Sequence, residues 1–90
     1  MKIELIAIFE GKVQGVFFRY FTKQYADEFD IKGYCKNLEN GKVKLRAIGE
    51  KESLNEFLKK ILKNPGYGKI ENYEVSYNEP SKEFKDFKIE

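Results

Sequence analysis

Residues 11 to 19 place two glycines and an arginine where an apolar run meets a helical pattern. They read Gly-Lys-Val-Gln-Gly-Val-Phe-Phe-Arg. A loop that leaves a strand and enters a helix presents free backbone N–H groups at the positive end of the helix dipole, which favours an anion. Gly15 has no Cβ, so the backbone there can adopt φ > 0 and curl its N–H groups around that anion. The stretch therefore predicts a phosphate-binding loop composed of Gln14, Gly15, Val16, Phe17, Phe18 and Arg19.

Arg19 adds a side-chain donor to this loop. A guanidinium is a planar fork that matches two phosphate oxygens, which a lysine ammonium cannot do. Of the 17 basic residues, only Arg19 and Arg46 are arginines, so an arginine at this position indicates a geometric requirement. The alternative is that Gly11 and Gly15 only shape a turn and Arg19 is a surface residue. Short glycine-containing loops match many unrelated sequences, and the loop alone does not decide between the two interpretations.

Asn37 is a second candidate for chemistry. It ends a predicted strand from Ile31 to Leu38, and the Asn40-Gly41 dipeptide after it favours a type I′ hairpin turn. If the first two strands run parallel, Asn37 lies at the same sheet edge as the phosphate loop. A carboxamide there can orient a water molecule. The alternative is that Asn37, with Asn40, only builds the turn.

The residue types that the chain lacks exclude several classes of catalytic site. With no histidine and a single cysteine, we expect no metal site, no cofactor and no histidine-activated nucleophile. Cys35 lies two residues before Asn37, but without a base to activate it we predict a small buried apolar residue. Any catalysis must then depend on positioning and electrostatics.

Length and composition predict one globular domain over residues 1–90. The chain has 41% hydrophobic and 36% charged residues and a net charge of +2, and no apolar run approaches the ~20 residues of a membrane span. We find no signal-peptide pattern, and a single cysteine fits a reducing compartment. These observations predict a cytoplasmic protein that binds no membrane.

Hydrophobic periodicity predicts five strands and two helices. The first strand spans Ile3 to Phe9, and the first helix spans about Arg19 to Phe29. A third strand follows Gly41, with Arg46 as a cross-strand surface residue. The second helix is predicted to begin at a capping box, Ser53 to Glu56, and to end at Asn64-Pro65-Gly66. A fourth strand from Ile70 to Tyr77 and a short last strand with Phe87 and Ile89 complete the chain.

This order predicts an α+β fold. It is β-α-β-β-α-β plus a short terminal strand, a ferredoxin-like α/β sandwich with two helices on one face of a mainly antiparallel sheet. The same architecture hosts many unrelated functions, so the function must be argued from the site.

Together the two motifs resemble the signatures of the acylphosphatase family. The first signature is aliphatic-x-Gly-x-Val-Gln-Gly-Val-x-(Phe/Met)-Arg, and Phe9 through Arg19 match it with Phe9 in place of the aliphatic residue. The second is Gly-aromatic-small-basic-Asn, three residues, Gly-x-Val, five residues, Gly, and Gly33 through Gly49 match it throughout. Phe9 lies in a strand, so this departure concerns packing rather than chemistry.

The resemblance implies hydrolysis of acyl phosphates, which are carboxylic–phosphoric mixed anhydrides, to a carboxylate and inorganic phosphate. It implies that Arg19 binds the phosphate, that Asn37 positions the attacking water, and that the amides of Gly15 through Phe18 complete the cradle. The expected partners are a small acyl phosphate and phosphate, with no nucleic acid, and the chain is expected to be a monomer. Neither a metal nor a covalent intermediate is expected, because this phosphoryl transfer has a good leaving group.

Two other functions remain to be weighed. RNA-recognition domains share the topology, and the chain has six tyrosines and eight phenylalanines. However, the third strand carries Leu45-Arg46-Ala47-Ile48 and no aromatic stacking platform. The other candidate is a regulator that binds an anion without turnover, which would have no use for a water-positioning carboxamide at Asn37.

Overall fold

The computed structural model describes residues 1–90 and contains the predicted number of strands and helices. In chain order they are β1 (Lys2–Lys12), α1 (Phe18–Glu28), β2 (Lys32–Asn37), β3 (Val43–Glu50), α2 (Lys51–Lys63), β4 (Lys69–Asn78) and β5 (Phe87–Ile89). Neither helix has the length and apolar character needed to cross a membrane.

All strands form one mixed sheet in the order β4-β1-β3-β2-β5. β3 pairs antiparallel with both β1 and β2, so β1 and β2 run in the same direction. β4 pairs antiparallel with β1, and only β5 pairs parallel, with β2. The predicted ferredoxin-like arrangement is confirmed. Its consequence for function is that the C-terminal ends of β1 and β2 meet the same edge of the sheet.

The core lies between the sheet and the two helices. Every second residue of β1 from Leu5 to Phe9 is fully buried, because strand side chains alternate between the two faces. The buried residues of α2 recur at helical spacing, at Leu54, Phe57 and Ile61. Both periodicities were readable in the sequence, and both are confirmed.

The predicted start of the second helix at Ser53 is wrong. α2 begins at Lys51, directly after β3, and no side chain caps its N-terminus. The reason is that β3 continues to Glu50, which pairs with Lys2 of β1, so the chain passes from strand into helix without a loop. Glu52 lies in the first turn, where a carboxylate interacts favourably with the helix dipole.

The predicted type I′ turn is also wrong. That turn needs positive φ at two successive residues, whereas only Gly41 has one, at 89°. The N–H of Leu38 donates to the carbonyl of Lys42, and the N–H of Gly41 donates to the carbonyl of Leu38. This is a three-residue loop with glycine in the left-handed position. Asn40 accepts a hydrogen bond from the Lys42 N–H at 3.0 Å, which stabilises this loop.

The connection from β4 to β5 crosses the face of the sheet that carries no helix, because these strands lie at opposite edges. Under it, Arg46 donates from Nε and Nη2 to the carboxylate of Glu4 at 3.1 and 3.3 Å. Its Nη2 also donates to Ser81 of the connection at 2.6 Å. Arg46 is a cross-strand residue, as predicted, but it is less exposed than a surface position implies, since the β4–β5 connection leaves its side chain only 20% exposed. This contact anchors the segment that leads into β5.

Candidate active site

The loop between β1 and α1 has an unusual backbone. Gly15 and Phe17 have φ values of 74° and 61°, in the left-handed region, and Val16 between them does not. The N–H groups of Gln14, Gly15, Val16 and Phe17 donate to no acceptor in the protein. Successive free N–H groups in such a curled segment form a concave anion-binding nest. The backbone of the predicted phosphate loop is therefore compatible with binding an anion.

The N-terminus of α1 adds its dipole to this nest. Phe17 is the N-cap residue, no side chain caps the helix, and the first turn contains no acidic residue. In α2, by contrast, Glu52 occupies the first turn. The partial positive charge of α1 is therefore not balanced by the protein, and an anion at the loop would balance it.

Two glycines shape the loop for different reasons. A Cβ on Gly15 would meet no atom within 4 Å, so the requirement there is the positive φ alone. At Gly11 a Cβ would collide with the carbonyl oxygen of Lys69 in β4. The register of β1 and β4 also shifts between Glu10 and Gly11, and such a bulge redirects the strand end.

Arg19 lies in the first turn of α1 and is held by the last strand. Its Nη1 donates to the main-chain oxygen of Glu90 at 2.6 Å. The N–H of Glu90 in turn donates to the carbonyl of Cys35 in β2 at 2.8 Å. Nε and Nη2 of Arg19 make no hydrogen bond within the protein. The guanidinium is therefore oriented by one contact and keeps the remaining donors for a ligand.

Asn37 ends β2 with its side chain exposed. Its carboxamide makes no hydrogen bond within the protein, whereas the turn is stabilised by Asn40 through the Lys42 N–H. The two asparagines thus differ in their contacts. Asn40 stabilises the hairpin loop, and the Asn37 carboxamide is free to bind a small molecule such as water.

Gln14 links the phosphate loop to the hairpin that begins at Asn37. Its Nε2 donates to the carbonyl oxygens of Leu38 and Lys42 at 2.8 and 2.9 Å. The sequence placed Gln14 in the loop but gave no sign of this contact, because its partners are main-chain groups 24 and 28 residues away. The side chain fixes the cradle relative to the end of β2, which carries Asn37.

A cavity of about 340 Å³ opens at this loop. Its wall is formed by Val13, Gly15, Phe17, Phe18, Arg19, Tyr20 and Ile89. The loop and Arg19 therefore face one space. Asn37 is not part of this wall. The loop is linked to the end of β2 through Gln14, which donates to the carbonyl of Leu38, the residue that follows Asn37.

Cys35 is fully buried beneath the site. Its Sγ lies 3.7 Å from the carbonyl oxygen of Arg19. Burial raises the pKa of this thiol to about 12, so it stays protonated at neutral pH and is a poor nucleophile.

The chain contains no cluster of three or more His, Cys, Asp or Glu side chains that could hold a metal ion.

A model of the acylphosphatase family matches residues 5–89. The chain belongs to the acylphosphatase family. Within it, the acylphosphatase of Listeria monocytogenes is 46% identical over 80 residues, which cover 88% of this chain and 86% of that protein. The acylphosphatase of Dehalococcoides mccartyi is 41% identical over 86 residues, which cover 94% of each chain. The crystal structure of the Bacillus subtilis acylphosphatase superposes with a TM-score of 0.92 at 29% identity and covers 97% of both chains.

The chain is accordingly a hydrolase of acyl phosphates that yields a carboxylate and inorganic phosphate. Its departure from the family signature, Phe9, is fully buried. The Phe9 ring meets that of Phe18 edge to face, with 5.3 Å between centroids. This contact supports the start of α1 from below and adds no chemical group to the site.

Proposed function

We propose that this chain hydrolyses acyl phosphates by direct attack of water on a phosphoryl group held by the main-chain N–H groups of residues 14–18 and the guanidinium of Arg19. The observation that carries the proposal is the run of N–H groups from Gln14 to Phe17 without protein acceptors, placed before an uncapped helix. Preorganised donors of this kind stabilise charge as it develops and need no rearrangement during the reaction. The single domain of residues 1–90 contains every group that we assign.

Arg19 binds the phosphoryl group in this proposal. A loose phosphoryl-transfer transition state spreads negative charge over three equatorial oxygens. The loop amides and the free Nε and Nη2 donors of Arg19 can together contact those oxygens. The hydrogen bond to Glu90 keeps the guanidinium from turning away, so less side-chain entropy is lost when the ligand binds.

Asn37 positions the nucleophile. Its exposed carboxamide offers both a donor and an acceptor, and the Gln14 contact fixes the end of β2 relative to the loop. A water held by Asn37 can attack phosphorus on the side opposite the leaving carboxylate. Holding the reactants in this geometry converts a bimolecular step into an effectively unimolecular one.

The proton and the leaving group need no side chain. The water oxygen forms a bond to phosphorus, the bond from phosphorus to the acyl oxygen breaks, and that oxygen leaves with the electron pair as a carboxylate. We assign the water's proton to a phosphate oxygen of the substrate, because the chain has no histidine. Of the two carboxylates within the motifs, Glu10 forms an ion pair with Lys42, and Glu39 lies in the hairpin loop between Leu38 and Lys42. A pH–rate profile that requires an enzyme base in the complex would contradict this assignment.

Metal-independent turnover is the direct test of this proposal. We expect the native protein to release benzoate and phosphate in equal amounts from benzoyl phosphate in the presence of EDTA, at the rate measured without it. Inorganic phosphate is expected to inhibit competitively, because it occupies the same cradle. A well-folded protein that binds phosphate and releases no benzoate would instead be a non-catalytic anion binder.

The proposal also covers the oligomeric state of the chain, its partners and its cellular location. We infer a monomer, because one chain supplies the loop, Arg19 and Asn37, and sedimentation equilibrium tests this. We infer no nucleic-acid partner, because Leu45 and Ala47 of β3 are buried and Arg46 is bound to Glu4; a titration with single-stranded RNA tests it. A cytoplasmic location is supported by the free thiol of Cys35, and cell fractionation tests it.

A further inference from the structure

Three apolar side chains at the cavity mouth are more exposed than folding alone would favour. Phe17 is 67% exposed, Tyr20 is 51% exposed and Ile89 is 41% exposed. All of them belong to the wall that also contains Gly15 and Arg19. A phosphate group interacts with N–H donors and positive charge, and it gains nothing from phenyl or alkyl side chains. The apolar part of the wall must therefore be explained by something other than phosphate binding.

Phe17 is the clearest of these residues. It has a φ of 61°, a conformation that is disfavoured for a bulky side chain and costs glycine nothing. Its ring is not buried in return. The one aromatic ring beside it is that of Tyr67, at 6.2 Å between centroids, and Tyr67 is itself 73% exposed. Strained residues of this kind concentrate at ligand-binding sites.

Tyr20 lies in the first turn of α1 and shares the cavity wall with Phe17. The Tyr20 ring meets the edge of Phe21 at 5.6 Å between centroids, which leaves half of its surface open. Ile89 approaches from β5, one residue before the Glu90 oxygen that holds Arg19. Two elements thus bring apolar surface to the same mouth, next to the group that binds phosphate.

We propose that Phe17, Tyr20 and Ile89 form an acyl-binding rim, which gives the site a preference for acyl phosphates with an aromatic or other large apolar acyl group. This inference rests on the proposed function. With the phosphoryl group in the loop, the acyl group extends toward the cavity mouth and loses contact with water against these side chains. A small acyl group such as acetyl reaches less of the rim and gains less from it.

The test compares kcat/KM for benzoyl phosphate with kcat/KM for acetyl phosphate. Both substrates use the same phosphate cradle, so the ratio of the two values cancels any change in the cradle itself. In Phe17→Gly, which can keep the left-handed backbone, we expect the benzoyl-to-acetyl ratio to fall about 10-fold, the scale on which apolar pockets discriminate. Tyr20→Ala is expected to lower the ratio in the same direction.

Two controls keep the comparison clear. Tyr77→Ala removes a tyrosine that is 47% exposed on β4, outside the cavity wall, and should leave the ratio unchanged. Phe17→Asn retains a side chain that tolerates positive φ and should lower the ratio as Phe17→Gly does, which excludes glycine flexibility as the cause. Thermal melts confirm that each variant is folded.

The possible outcomes separate the two proposals. A ratio that stays at the native value in Phe17→Gly and Tyr20→Ala, with turnover of both substrates in the native protein, would overturn the acyl-binding rim alone. Native protein that hydrolyses neither substrate would overturn the proposed function, and the rim with it. A selective loss on benzoyl phosphate in both variants would support the rim.

Discussion

Replacing Arg19 with lysine is expected to lower kcat/KM for benzoyl phosphate by about 10²- to 10³-fold, the scale seen when one preorganised donor is lost. The positive charge survives, but the planar fork that contacts two oxygens does not. The ammonium also cannot hold the Glu90 oxygen and a phosphate oxygen in the same arrangement as the guanidinium. Because phosphate contacts exist in both the bound substrate and the transition state, the inhibition constant of inorganic phosphate should rise as well.

Arg46→Lys is the matched control for this substitution. Arg46 is the other arginine of the chain, and it also forms a forked contact with a carboxylate, that of the buried Glu4. Its replacement should lower the melting temperature, since it leaves a buried carboxylate poorly paired, and should affect phosphate inhibition little. A near-native kcat/KM for folded Arg19→Lys would contradict the role that we assign to the fork.

Replacing Asn37 with alanine is expected to affect a different kinetic constant. Turnover should fall by about 10²-fold or more, because the attacking water is no longer held in line. The inhibition constant of inorganic phosphate should change little, since Asn37 is not part of the cavity wall that contains the loop and Arg19. Rapid-mixing or steady-state measurement of benzoate release, with and without added inorganic phosphate, gives the turnover rate and the inhibition constant of phosphate on one sample.

Asn40→Ala controls for the hairpin. Asn40 accepts the hydrogen bond from the Lys42 N–H, so this variant should lose stability and retain turnover. If Asn37→Ala and Asn40→Ala reduce turnover equally, Asn37 acts by stabilising the hairpin loop rather than by positioning the attacking water. If Asn37→Ala turns over normally, its proposed role is wrong.

The parts of the fold that could be predicted from the sequence are those decided by local pattern. Apolar residues alternate in β1 and recur at helical spacing in α2, at Leu54, Phe57 and Ile61. The spacing of apolar residues in the sequence is enough to identify the buried face of each element. The turn between β1 and α1 was also recognisable, because Gly15 has a positive φ that glycine adopts without strain. Two spaced motifs then indicated the acylphosphatase family.

The features that were missed depend on partners far away in the chain. The Ser53 capping box is a plausible local signal, but pairing of Glu50 with Lys2 extends β3 and moves the start of α2. The partial burial of Arg46 follows from the path of the β4–β5 connection, which no local pattern encodes. The two contacts that organise the site, Gln14 with Leu38 and Arg19 with Glu90, span 24 and 71 residues. Their main-chain acceptors carry no side-chain signature.

The most direct test of water attack on phosphorus is hydrolysis of benzoyl phosphate in ¹⁸O-labelled water, with mass analysis of both products after a single turnover. Attack on phosphorus by a water held at Asn37 places one labelled oxygen in the released phosphate and none in benzoate. Label in benzoate would mean that water, or a group on the protein, attacks the carbonyl carbon, and it would contradict the mechanism built on the loop, Arg19 and Asn37.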